Sequence, residues 1–295
     1  MANDKISLNA LIEEAEAAKL SLNAYLLPQS AAGLEITEEE LLAKMAQMLK
    51  VMEEAAAYGL TGVRSHSGLT GGSALKLQNA AAQPGFNKLL GALATDAVTY
   101  ALAVSECNAA MGRIVAAPTA GAAGVLPGVL LALKKHCNLT EEQLARALVV
   151  AGQIGLVIAA RASLAGAVGG CQAECGSAAA MAAGAAVDAL GGTPAQAGTA
   201  VSIVFKNMLG LVCDPVAGLV EVPCIKRNGG AAVQALLAAE MALAGIGSFI
   251  PADEAIDAMK WVGDSMPCAL RETAGGGLAQ TPTALAWAKA WFERE

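Results

Sequence analysis

Seven cysteines punctuate the chain, and three of them sit where a side chain can turn toward a shared point. Cys171 lies in the stretch Gly169–Gly170–Cys171–Gln172–Ala173–Glu174–Cys175–Gly176, Cys213 precedes Asp214–Pro215, and Cys224 follows Val222–Pro223. Glycine or proline marks each segment as irregular. A structural cysteine more often sits mid-helix on an apolar face, a description that suits Cys107 and Cys137 better. Only two histidines, His66 and His136, are present, which rules out His-rich zinc schemes and leaves thiolates as the metal ligands. Thiolates favour iron–sulfur clusters or zinc. Three of them with no obvious fourth match a cluster with one open iron, the position that Lewis-acid chemistry on a substrate oxygen requires. A structural zinc held by the same residues is the competing reading, and the spacing is not the Cys-x-x-Cys-x-x-Cys pattern of electron-transfer ferredoxins.

Three glycine-rich breaks add a second kind of chemistry. Residues 65–72 (SHSGLTGG), 118–124 (PTAGAAG) and the run Gly275–Gly276–Gly277 all lead toward helices. A helix start of this kind offers free N–H groups and a positive dipole end to a carboxylate or phosphate. None of the breaks is a GxxxxGK[ST] loop and none follows a strand signal, so a nucleotide site has little support. Glycine at a plain turn or a close helix contact explains any single one of them equally well.

The elements that must position these groups read as helices. Residues 7–19 form an amphipathic segment opened by Ser7, and residues 37–58 carry a capping-box pattern, Thr37 with Glu40, ahead of an apolar stripe. Further helices are expected over residues 74–82, 88–111, 129–136, 177–190, 194–211, 231–245, 253–262 and 283–292, with Thr140 and Gln143 opening another. Irregular segments are expected over residues 65–72, 117–128, 166–176, 213–230 and 275–282. Strand alternation and Asn-Gly or Asp-Gly hairpin signals are missing. The expectation is an all-α chain forming a single compact domain over residues 1–295, with residues 1–36 as a less well-defined N-terminal helical part.

Composition narrows the classes of function. The hydrophobic fraction is 55%, yet aromatic residues make up 3%, so Ala and Gly supply the bulk and backbones can approach one another closely. Few aromatics and a net charge of −7 argue against nucleic acid as a partner. The most apolar stretch, residues 145–160, is interrupted by Gln153 and falls short of the ~18 residues of a spanning helix. It reads as a buried helix, and a membrane-embedded carrier is the weaker alternative. With no secretory pattern at the start, the chain is expected in the cytoplasm, where cysteines serve metals or catalysis rather than disulfides.

Four long stretches resemble one family. Residues 108–113 (NAAMGR) running into 117–121 (APTAG), residues 169–183 (GGCQAECGSAAAMAA), residues 206–228 (KNMLGLVCDPVAGLVEVPCIKRN) and residues 270–284 (LRETAGGGLAQTPTA) are similar to iron–sulfur-dependent L-serine dehydratases. The likeness runs from about residue 40 onward and is strongest to members whose alpha and beta regions are separate chains. The resemblance implies that Cys171, Cys213 and Cys224, separated by 42 and 11 residues, ligate a [4Fe–4S] cluster, with Cys175 beside them as a non-ligand. It implies a beta-chain partner or a homo-oligomer. Single-chain members carry a cysteine at the extreme C-terminus, whereas this sequence ends Trp291–Phe292–Glu293–Arg294–Glu295.

The chemistry so implied is loss of water from L-serine at an open iron. It gives 2-aminoacrylate and then pyruvate and ammonia, without pyridoxal phosphate. Ser67, Gly68, Thr70, Gly71 and Gly72 are the expected grip on the substrate carboxylate, with Thr119, Ala120 and Gly121 the second choice, and Asn108 is placed on the amino group. Lys76, His66 and Glu174 are the candidates for the base. Arg227 and Arg271 could fork a carboxylate, although Arg271 is more readily placed in a structural ion pair with Glu272. A related iron–sulfur lyase acting on L-cysteine is the alternative enzyme, and a zinc-stabilised helical protein is the non-catalytic one.

Overall fold

A computed structural model describes residues 6–86 and 88–293. Among them are thirteen α-helices and no strand. In chain order they are α1 Leu8–Ala17, α2 Leu22–Gly33, α3 Glu38–Gly59, α4 Ser73–Ala82, α5 Gly91–Ala109, α6 Val125–Cys137, α7 Glu141–Arg161, α8 Gly166–Gly169, α9 Ser177–Ala189, α10 Pro194–Met208, α11 Cys224–Leu243, α12 Ala252–Ser265 and α13 Pro282–Phe292. The all-α expectation holds. Of the N-terminal part, residues 1–5 lie outside the described residues.

Alanine decides the architecture. Every residue of α9 from Ser177 to Asp188 is buried, and α6, α7, α10 and α11 pack around it. Alanine is the best helix former and loses no side-chain entropy on burial, so a rod of small residues can form the axis of the bundle. Close approach follows from the same chemistry. A Cβ on Gly59 of α3 would fall 1.9 Å from the Ala103 carbonyl oxygen of α5, and one on Gly184 of α9 would fall 2.3 Å from Ile154 Cδ1 of α7. The larger side chains fill what alanine leaves. Phe205 of α10 is fully buried, and Phe205→Ala is expected to lower stability by about 3–5 kcal/mol in chemical denaturation.

Buried carboxylates from distant segments hold several helix starts. Asp253 of α12 accepts the Leu8 N–H at 2.9 Å and the Ser7 hydroxyl at 2.6 Å, so it caps α1. Asp188 of α9 accepts the Asn23 N–H at 3.0 Å and its side-chain amide at 2.8 Å at the start of α2. Each places negative charge on the positive end of a helix dipole. These two ties join α1 and α2 to the same core as the rest of the chain.

Several element boundaries differ from expectation. Helix α2 lies in the N-terminal part expected to be helical, but its own bounds were not foreseen, since it carries Pro28 and no amphipathic stripe. Residues 166–176, expected to be irregular, form α8 and a π-helical turn, Gln172–Gly176, that runs straight into α9. The buried Gln172 side chain donates to the Met259 carbonyl at 3.0 Å and accepts the Gly210 N–H at 2.9 Å, fixing the widened turn. The segment expected to be irregular over residues 213–230 ends at Pro223. Gly229 and Gly230, read as breakers, lie inside α11, where Gly229 lets the helix approach Val98 of α5. Helix α10 stops at Met208, two residues before Gly210 adopts φ +84°. The longest apolar stretch lies in α7, the one described helix long and apolar enough to cross a membrane, and 61% of its apolar window is buried inside the bundle.

Candidate active site

Three separate segments bring free thiols together. Cys171 opens the π-helical turn, just after Gly170, whose φ of +76° turns the chain. Cys213 lies in extended chain, where its N–H donates to the Leu270 carbonyl at 2.9 Å and its own carbonyl accepts the Glu272 N–H at 2.7 Å. Cys224 is the first residue of α11, after the cis Val222–Pro223 bond. All seven cysteines are free, and Cys171 and Cys213 are buried.

The thiols are close enough to shape one another's acidity. Burial, then the Glu174 and Cys171 charges, pushes the Cys213 thiol well up. Burial, with Cys171 and Glu174 behind it, pushes Cys224 up to about 12. A hydrogen bond from Cys175 pulls Cys171 down, while Cys175 is raised. A thiol of this kind ionises only when a cation arrives to balance it. Among the described residues, no three His, Cys, Asp or Glu side chains close to the spacing that one metal ion needs.

Glu174 rises from the π-helical turn into the same space. It accepts the Thr119 hydroxyl at 3.0 Å, and its other oxygen lies 4.0 Å from Cys213 Sγ. Burial raises its carboxyl above the usual range, against the pull of Thr119. Glycines make room for these side chains. A Cβ on Gly166 would stand 2.8 Å from both Cys213 Sγ and Glu174 Oε2, and one on Gly121 would stand 3.3 Å from Glu174 Oε1.

Each of the three glycine-rich breaks is tied to a side chain from elsewhere in the chain. In residues 65–72, the hydroxyls of Ser67 and Thr70 donate to Glu221 at 2.8 and 2.6 Å. At the following helix start, the N–H groups of Ser73 and Ala74 donate to the buried Glu106 at 2.7 and 3.2 Å. The anion-ready end of α4 therefore already holds a carboxylate of the protein itself. In the second break, the Gly124 N–H donates to Asn228 Oδ1 at 3.0 Å, the Asn228 amide donates to the Gly121 carbonyl at 2.7 Å, and the Asn108 amide donates to the Ala120 carbonyl at 3.2 Å. In the third, the Leu278 N–H donates to Asp214 at 2.7 Å. Arg227 pairs with that same Asp214 at 2.8 Å and donates to the Val212 carbonyl, which engages it within the wall. Arg271 makes no ion pair with Glu272 among the described residues, and its guanidinium reaches the Val168 carbonyl at 3.4 Å.

The three base candidates are not equivalent. Glu174 stands in the cleft. Lys76 is exposed on α4. His66 is exposed at the loop tip, edge-on to Trp291, which stacks on Trp287 of α13. Glu106, Asp214, Glu221 and Asn228 escaped the sequence reading. Asp214 follows Cys213 directly and Glu221 precedes Cys224 by three residues, so proximity to a candidate ligand was the one signal available. A separate apolar groove of about 330 Å³ reaches Ala117 and Pro118 but is walled by aliphatic and methionine side chains. Its two side-chain polar groups, Ser30 and Gln153, bond to each other.

The profile of one protein family, the serine dehydratase alpha chain, matches residues 4–279. A probable L-serine dehydratase alpha chain of Bacillus subtilis is 54% identical, covering 94% of this chain and 92% of its own length. The L-serine dehydratase alpha chain of Peptoniphilus asaccharolyticus is 44% identical over 84% of each. An L-serine dehydratase of Streptomyces coelicolor is 42% identical over 91% of this chain, which spans 59% of that longer protein.

Proposed function

Because the chain belongs to the serine dehydratase alpha-chain family, we propose that it is the catalytic chain of an L-serine ammonia-lyase whose Cys171, Cys213 and Cys224 hold a [4Fe–4S] cluster. The observation that carries this reading is the meeting of three free, mutually interacting thiols beside Glu174, with Gly166 and Gly121 making room for the Cys213 and Glu174 side chains. The donor set fits such a group, since it is made of free cysteine thiols with a carboxylate beside them and no histidine.

When bound, such a cluster supplies a Lewis-acidic iron for the β-oxygen of the substrate. The protein's own groups do the rest. Glu174 takes the proton from the substrate Cα, held in place by the Thr119 hydroxyl. The β-hydroxyl departs as water with the proton that Glu174 has taken, which returns Glu174 to its carboxylate and leaves 2-aminoacrylate, which tautomerises and hydrolyses to pyruvate and ammonia. Asn108 and Asn228 keep residues 119–124 rigid through two carbonyls and one N–H, so the cleft wall is fixed before substrate arrives. The alpha-chain relatives imply a beta-chain partner, and the added length of the Streptomyces protein is consistent with it.

The test is anaerobic reconstitution with iron and sulfide, with and without the beta chain, followed by assay of pyruvate from L-serine and from L-cysteine. The expected result is pyruvate and ammonia in equal amounts from L-serine, with L-cysteine turned over far more slowly. Preferential release of sulfide from L-cysteine would replace the proposed substrate. Zinc without acid-labile sulfide would remove the proposed cofactor.

A further inference from the structure

Glu221 sits between the substrate loop and the segment that carries Cys224. It is 7% exposed, and its carboxylate accepts the Ser67 hydroxyl on Oε1 and the Thr70 hydroxyl on Oε2. A hydroxyl has one hydrogen to give and two lone pairs. With both hydrogens committed to Glu221, Ser67 and Thr70 have only acceptor capacity left. Ser67 already takes the Leu69 N–H at 3.0 Å and has the Ser65 hydroxyl at 3.2 Å, so the acceptor left open is the Thr70 hydroxyl oxygen.

That arrangement is chemically selective. A substrate carboxylate offers acceptors only, so at this point it would meet lone pairs backed by a buried negative charge. An ammonium offers three donors and the opposite charge. The position also fits. Val220, next to Glu221, lies against Gly121, where an added Cβ would stand 3.4 Å from Val220 Cγ1 and 3.3 Å from Glu174 Oε1.

We infer that Glu221 converts residues 65–72 into the subsite for the substrate ammonium, with the Thr70 hydroxyl fixed as the open acceptor, rather than a grip on the carboxylate. The inference rests on the cleft being the serine site proposed above, and it reverses the role first expected for this loop.

L-Alanine and propanoate differ by the ammonium alone, so the pair isolates the subsite. Both are titrated as competitive inhibitors of the reconstituted enzyme with its partner, and by calorimetry, in wild type, Glu221→Gln and Thr70→Val. Glutamine removes the charge and must donate to one hydroxyl, turning that hydrogen outward. Glu221→Gln is expected to weaken L-alanine and raise KM for L-serine by about tenfold or more, with kcat within about threefold. Propanoate should bind as before or more tightly, and iron and sulfide content should stay the same. Thr70→Val keeps the shape and deletes the lone pairs, and the same selectivity is expected from it. Equal weakening of alanine and propanoate in both variants would reduce Glu221 to a structural tie. Loss confined to propanoate would return the loop to the carboxylate. A wild-type protein that makes no pyruvate from serine would instead sink the functional proposal itself, so the two failures are separable.

Discussion

Cys213→Ala is expected to bring iron and sulfide in the reconstituted protein down to background, together with the broad visible absorption of the cluster and all pyruvate formation. The reason is the strength of the demand that each thiolate meets. Burial makes the Cys213 and Cys224 thiols reluctant to ionise, so the compensating charge of the cluster and the full set of ligands support one another. Removing Cys213 leaves an iron without its protein ligand and Cys224 with less reason to lose its proton. The fold should survive, because Cys213 is held through its backbone N–H and carbonyl, which alanine retains. The informative companion is Cys175→Ala. Cys175 is buried beside Cys171 and hydrogen-bonded to it, yet it is a non-ligand in this reading, so that variant should keep its cluster. Circular dichroism and metal analysis on the two variants together separate a lost ligand from a lost fold. Cluster retained in Cys213→Ala and lost in Cys175→Ala would exchange their roles.

Glu174→Gln is expected to cut kcat by about 10²- to 10⁴-fold, the range for removing a positioned general base, while leaving cluster content unchanged. Glutamine has the same shape and its oxygen can still accept the Thr119 hydroxyl, so the cleft should keep its form. What disappears is the capacity to take a proton. The same substitution made at the exposed residues, Lys76→Gln and His66→Gln, should cost far less. Stopped-flow or steady-state kinetics with Cα-deuterated serine would check the assignment. A variant at Glu174 with near-normal kcat would transfer the role to another residue.

The sequence made some of this plain and hid the rest for identifiable reasons. The capping box of Thr37 and Glu40 is local, four residues long, and appears as expected. Helix α2 is the contrary case. Its anchor, Asp188, is 165 residues from Asn23, so no window of the sequence contains both. The cysteines could be sorted because a ligand tends to sit at a break, and Cys213 and Cys224 do lie beside one. Cys171 was grouped with them through its flanking glycines, although the chain there is helical, and its turn is fixed by Gln172 contacts that only the folded chain creates. The glycine-rich breaks were legible as places where backbone N–H groups meet an anion. Which anion was not legible, since Glu106, Asp214 and Glu221 reach their partners across 32 to 154 residues. Much of the polarity at the breaks is thus spent on the protein's own carboxylates, and the space for substrate is what they leave over.

The aromatic residues are few, and their placement has a use. Two of the three tryptophans, Trp287 and Trp291, stack on α13 with ring centres 5.6 Å apart, and Trp291 meets His66 edge-on at 6.1 Å. The third, Trp261, is 74% exposed on α12. The protein therefore carries an optical reporter on residues 65–72. Imidazole in contact with an indole quenches its emission, and a solvent-facing indole such as Trp261 emits further to the red. A shift of the loop as ligand enters would be visible in the bluer component of the emission, with no label attached and no turnover required.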